Sequence, residues 1–133
     1  MTHSSYFILY VADQKRSHDF YCAALDIAPR LHVPGMTEFD LPGGGVLGLM
    51  PELGIRRLLG DRLPDPARAS GIPRAELYLL CPDPAGAHAR ALAAGAQELS
   101  PVQPRNWGHV AAYSLDPDGH VLAFARPKDW QDG

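Results

Sequence analysis

Two side chains of this sequence are placed to move a proton: Glu76, which opens the apolar run Glu76-Leu77-Tyr78-Leu79-Leu80-Cys81, and His109, which follows Trp107-Gly108. Either would serve as a general base if a dry pocket held it against a substrate. Around them stand groups suited to holding a flat molecule rather than transforming one. Strand alternation puts Tyr6, Ile8 and Tyr10 on one face, and Glu76, Tyr78 and Leu80 on the matching face of a second segment. Aromatic pairs contribute roughly 0.5–1.5 kcal/mol beyond burial, and a carboxylate among them can receive a donor or a cation. A plainer account stands beside this one. Tyrosines at alternate strand positions are the ordinary cross-section of a sheet core, and Glu76 could pair with an arginine of the linker at 51–73.

Nucleophile and metal chemistry find less support. Cys22 falls in a helical stretch and Cys81 at a strand end, with no Cys-x-x-Cys pair, so both are read as reduced, partly buried thiols. The six histidines are His3 in the N-terminal tail, His18 and His88 on helices, His32 near a hairpin, His109 and the turn residue His120. No two have the i, i+4 or x2 spacing of a metal site, so they are taken as surface or hydrogen-bonding groups.

The elements that must position these residues occur twice. Tyr6-Phe-Ile-Leu-Tyr-Val-Ala-Asp13 leads into a helical stretch, and so does Glu76-Leu-Tyr-Leu-Leu-Cys-Pro-Asp83, 70 residues later. Each Asp sits at an N-cap position. Leu41-Pro-Gly-Gly-Gly-Val-Leu-Gly-Leu-Met50 then matches Asp116-Pro-Asp-Gly-His-Val-Leu-Ala-Phe-Ala125, sharing Pro, Gly, Val and Leu in register. That is a hairpin turn feeding a strand, and a period this long marks a duplicated module rather than a solenoid. Strands are expected at about 6–12, 28–33, 36–40, 45–50, 75–81, 97–99, 108–115 and 121–125, and helices at about 14–24 and 84–94. In the first helix Phe20, Ala23 and Ala24 form the apolar side against Ser17, His18 and Asp19, and in the second Gly95 is the C-terminal stop. Each half reads βαβββ: module one about 5–50, a linker 51–73, module two about 74–126. The linker is arginine-rich and loop-like apart from a helical turn at 55–59, and is either a solvated connector or a lid over a ligand site.

With 133 residues this is one domain whose two halves share a core. A net charge of −3 provides no basic footprint for nucleic acid. No apolar run is long enough to span a bilayer, and Met1-Thr-His-Ser-Ser5 lacks the regions of a signal peptide, so the expected location is the cytoplasm.

The doubled βαβββ pattern, the run Asp13-Gln-Lys-Arg-Ser-His-Asp-Phe-Tyr21 followed by Ala24-Leu25-Asp26, Arg90-Ala-Leu-Ala-Ala-Gly-Ala96, Trp107-Gly108 and Asp116-Pro-Asp-Gly119 resemble the vicinal oxygen chelate superfamily. That superfamily includes glyoxalase I, methylmalonyl-CoA epimerase, extradiol dioxygenases, fosfomycin-resistance enzymes and bleomycin-resistance binding proteins. The resemblance spans about Ser5 to Arg126. It implies an α+β fold of two tandem βαβββ modules forming a curved mixed sheet, with a strand-exchanged homodimer as the assembly. Metal-using members take ligands from four inward strand positions, which correspond here to Tyr6, Gly48, Glu76 and Ala123. Glycine and alanine donate nothing, and a phenol with one carboxylate is short of a divalent site, so neither metal nor cofactor is expected.

Small residues at those positions would leave room. The resemblance then implies a metal-free binding protein of the bleomycin-resistance type, sequestering a planar aromatic antibiotic or natural product. Its ligand-contacting residues would be Tyr6, Tyr10, Phe39, Gly48, Met50, Glu76, Tyr78, Trp107, His109 and Ala123, with none catalytic. Trp130 is assigned to packing or an interface. Two rivals stand: a lyase, isomerase or other superfamily enzyme with a non-standard site, and a module that acts only through protein partners.

Overall fold

A computed structural model describes residues 4–129; His3 and Trp130 lie outside the described residues. The chain divides into two compact units. One takes the chain up to Cys22 together with Asp26–Ser70, and the other takes Ala23–Leu25 and the chain from Gly71 onward.

In the first unit β1 (Tyr6–Val11) leads to α1 (Gln14–Leu25), then β2 (Leu31–Val33), β3 (Met36–Asp40) and β4 (Val46–Pro51). The strands lie in the order β1-β4-β3-β2, parallel between β1 and β4 and antiparallel elsewhere. Asp13 caps α1 as expected, its carboxylate accepting from the Arg16 amide at 3.0 Å. The helix buries Ser17, Phe20, Tyr21 and Ala24, one stripe at i, i+3, i+4 and i+7, while Ala23 is exposed. This corrects the expected stripe: Ser17 is small enough to lie under the helix, and Ala23 is one helical step out of phase.

The second unit repeats the plan. β5 (Glu76–Leu80), α3 (Pro84–Ala93), β6 (Gln97–Pro104), β7 (His109–Leu115) and β8 (Val121–Pro127) give a sheet ordered β5-β8-β7-β6. Asp83 caps α3 by accepting from the Gly86 amide at 3.0 Å. The helix ends in a Schellman turn: the Gly95 and Ala96 amides reach back to the carbonyls of Leu92 and Ala91, with Gly95 at φ +116°. β6 extends five residues beyond its expected end at Leu99. It carries Pro101 and Pro104, but as the edge strand it tolerates them, with register shifts where the ladder is broken.

Between the repeats lies α2 (Glu52–Leu59), longer than the expected helical turn, followed by two 3-10 turns at Gly60–Arg62 and Pro66–Ala69. Ile55 is its buried residue. Among the described residues no helix is long and apolar enough to cross a membrane.

Candidate functional site

Each sheet has one face against its helix and one open face, and register decides which side chains reach which. In the first sheet the parallel pairs Tyr6–Val46, Ile8–Gly48 and Tyr10–Met50 and the antiparallel pair Glu38–Gly48 put Tyr6, Ile8, Tyr10, Gly48, Met50 and Glu38 on the open face. Phe39 goes the other way. It pairs with Leu47, is fully buried, and its ring lies 6.4 Å from Tyr21 and 6.5 Å from His18 of α1. Its assignment to a ligand cleft is therefore corrected: Phe39 belongs to the helix–sheet core, and Glu38 is the β3 side chain on the open face. The sequence carried the information, since Glu38 alternates with Phe39 and faces Gly48 across the ladder.

The open face of the first sheet is polar where it meets solvent. Tyr6 donates its hydroxyl to Glu38 at 3.4 Å, and Arg30 lies 3.5 Å from Glu38 and 3.0 Å from Asp40. Gly48 does not leave open room. A Cβ there would stand 3.0 Å from Ile8 Cγ1 and 3.3 Å from Met36 Sδ, so neighbouring side chains already occupy the space.

The open face of the second sheet gathers five of the expected residues and two that had not been expected. The pairs Glu76–Val121, Tyr78–Ala123 and Leu80–Ala125 continue into Leu115, Tyr113 and Ala111 of β7. Ala123 is thus flanked by Tyr78 and Tyr113, with Glu76 one row away. The row of small residues lets the Tyr78 ring reach across to β7. Its hydroxyl shares a hydrogen bond of 2.7 Å with His109 Nδ1, the two rings are stacked at 5.8 Å, and Trp107 donates its indole N–H to the same hydroxyl at 3.0 Å.

Two residues missing from the sequence reading complete this face. Tyr113 is in phase with His109 on β7, a period-two relation visible in His109-Val-Ala-Ala-Tyr113. Arg105 lies over the Tyr113 ring at 5.0 Å and donates to the Ser100 hydroxyl at 2.6 Å and the Ala111 carbonyl at 2.8 Å. Arg105 also anchors the hairpin that carries Trp107: its amide donates to the His109 carbonyl at 2.8 Å, and its carbonyl accepts from Gly108. Burial pushes the Tyr113 phenol above its ordinary range, helped by the negative charge of Glu76, while Arg105 opposes the shift. Glu76 itself is exposed and makes no hydrogen bond or ion pair among the described residues, so the linker-arginine pairing does not form here.

A second grouping lies on the helix side of the first unit. His18 and His32, fourteen residues apart in sequence, stack at 4.0 Å. His32 Nδ1 meets the Thr37 hydroxyl at 2.7 Å, and Gln14 donates to the same hydroxyl at 2.9 Å. An open hollow of about 510 Å³ lies beside them, lined by Asp13, Gln14, Lys15, Asp19 and the two imidazoles. Spacing rules could not find this pair, because tertiary packing brings it together. The thiols are unsuited to attack: burial pushes both Cys22 and Cys81 upward, with the Asp19 charge adding to the effect at Cys22.

The four family ligand positions do not make a metal site. Tyr6 is engaged with Glu38, Gly48 has no donor and no space for one, Ala123 is fully buried without a donor, and Glu76 stands alone. Among the described residues no group of three His, Cys, Asp or Glu side chains is arranged to hold an ion.

With this fold in hand, the chain can be placed. It belongs to the glyoxalase-like domain family, whose model matches residues 6–125. Among solved structures it is similar to a glyoxalase-related enzyme from Fulvimarina pelagi, at 23% identity and a TM-score of 0.80, over 100% of this chain and 94% of that one. A glyoxalase/bleomycin resistance protein/dioxygenase from Nocardioides is similar at 22% identity and 0.75, over 97% and 88%. A glyoxalase/bleomycin resistance protein/dioxygenase family enzyme from Burkholderia phytofirmans PsJN follows at 16% and 0.77, over 92% and 97%. These likenesses carry the superfamily fold. No curated protein matches the chain.

Proposed function

We propose that this protein binds and sequesters a planar aromatic small molecule, an antibiotic or other natural product, without a metal, in the cytoplasm and as a homodimer. The observation that carries the reading is the aromatic cluster on the second sheet, where Trp107 and His109 both hydrogen-bond Tyr78 beside the fully buried Ala123. Hydrogen bonds hold these rings in place, so little side-chain freedom is lost when a flat ligand stacks on them.

One observation favours a second reading. Tyr78 and His109 share a 2.7 Å hydrogen bond, and an isomerase or lyase that moved a proton through this pair would need no Lewis acid. A thermal-shift series on metal-stripped protein tests both readings, comparing divalent cations with planar intercalating drugs. Saturation at 100 times Kd adds about 2.7 kcal/mol of stability, a clear shift in Tm for a chain of this size. Stabilisation by aromatic drugs and by no cation supports sequestration. A response to one cation alone overturns it, and product formation that is lost in Tyr78→Phe supports the enzyme.

A further inference from the structure

The second sheet's open face combines three features that together select a ligand charge. Glu76 is the acidic side chain of that face, is exposed, and makes no ion pair or hydrogen bond among the described residues. Tyr78 follows it two residues along β5, and Tyr113 stands across Ala123 from Tyr78. The two tyrosine strands are separated by β8 alone, so their backbones lie about 9.6 Å apart, two strand spacings. Ala123 is the floor between them.

Aromatic faces are negative at their centres and attract cations, and a nearby carboxylate adds to that attraction. Glu76 and Arg105 act on the Tyr113 phenol in opposite directions. They are not equivalent toward a ligand. The Arg105 guanidinium is committed, donating to the Ser100 hydroxyl and to the Ala111 and Pro101 carbonyls while it covers one face of Tyr113. Glu76 is uncommitted. The charge left for a ligand to neutralise is therefore negative.

We propose that Glu76, with Tyr78 and Tyr113, forms a subsite for a protonated amine carried by the aromatic ligand. The inference rests on the aromatic-binding reading and narrows it to cationic molecules. The amine sits beside the Glu76 carboxylate with its alkyl or aryl stem against the tyrosine rings. The adjoining flat portion of the ligand lies toward Trp107 and His109.

The test compares proflavine, a cationic acridine, with acridone, a neutral ring system of similar size, by fluorescence titration of the full chain at low and high salt. Wild-type protein is expected to bind proflavine about tenfold more tightly than acridone. Glu76→Gln keeps shape and hydrogen-bonding capacity, and should bring proflavine down to the acridone affinity while leaving acridone unchanged. Asp61→Asn, an exposed carboxylate 3.8 Å from Arg56 in the linker, removes the same net charge and should change neither. Circular dichroism confirms that each variant is folded. Equal binding of the two dyes, or a proflavine preference that survives in Glu76→Gln, overturns the amine subsite and leaves the aromatic-binding reading intact. A preference lost equally in Asp61→Asn also overturns it, by showing a net-charge effect. Failure of both dyes to bind wild-type protein overturns the aromatic reading itself.

Discussion

Gly48 shows how neighbouring side chains can close over a glycine on a sheet face. The space a side chain would need there is held by Ile8 and Met36, 3.0 and 3.3 Å from an added Cβ. Ile8 is 41% exposed and can turn aside for a single methyl group, which also removes some of the backbone freedom of glycine in the unfolded chain. Gly48→Ala is therefore expected to leave stability within about 0.5 kcal/mol of wild type. Gly48→Leu must move both neighbours and should cost roughly 1–3 kcal/mol in urea unfolding. Equal stability of the leucine variant would show that the open face has room after all. At this scale the sequence revealed which residue types stand at the inherited positions. It could not reveal that neighbours had closed over them. It also left Phe39 on the wrong face, because an aromatic residue suits a ligand wall and a core equally well, and only the pairing with Leu47 separates the two.

At the level of elements, the Asp116-Pro-Asp-Gly-His120 hairpin is where sequence and structure agree most closely. Asp116 Oδ1 accepts from the amides of Asp118 and His120, both at 2.9 Å, and the Gly119 amide donates to the Asp116 carbonyl at 3.0 Å. Gly119 holds φ at +88°, and an added Cβ would lie 2.8 Å from the backbone of Gly71. Both facts forbid a side chain, one through local strain and one through backbone that cannot easily yield. Gly119→Ala should therefore cost more than the 1 kcal/mol or so of an ordinary left-handed alanine, about 2–4 kcal/mol by thermal or urea unfolding. Gly43, also at positive φ but with nothing within 4 Å of its Cβ position, is the control, and its alanine variant should lose only the local term. Equal losses at the two sites would mean that the Gly71 segment moves freely away. Such turns are legible because their chemistry is local. β6 was legible only in part: the strand expected over 97–99 runs on through Pro101 to Pro104, and an edge strand accommodates those prolines with register shifts. The helix Glu52–Leu59 was legible only in part: a helical turn was expected at 55–59, and the helix starts three residues earlier, directly after Pro51 at its N-cap.

For the whole molecule, duplication made the topology readable. Two copies of strand, capping Asp, helix and turn-fed strand predict two sheets of the same order, and β1-β4-β3-β2 is answered by β5-β8-β7-β6. Assembly and ligand were not readable in this way, because folding constrains the interior while those functions depend on what the surface leaves uncovered. Several apolar side chains remain exposed: Phe7 at 67%, Ile8 at 41%, Leu53 at 69%, Leu58 at 71% and Ile72 at 58%. Phe7 and Ile8 lie on β1, which ends its sheet and presents an unpaired edge within it. An apolar unpaired edge is a hazard that proteins usually cover, and the proposed homodimer would cover it. Sedimentation equilibrium should then give twice the chain mass of 14.4 kDa, about 29 kDa, at micromolar concentration. Phe7→Lys places a charge on that edge and should shift the distribution toward 14.4 kDa without lowering the helical circular-dichroism signal. A wild-type protein that sediments at the monomer mass at every concentration would remove the dimer. The ligand would then have to be held by surfaces that a single chain supplies.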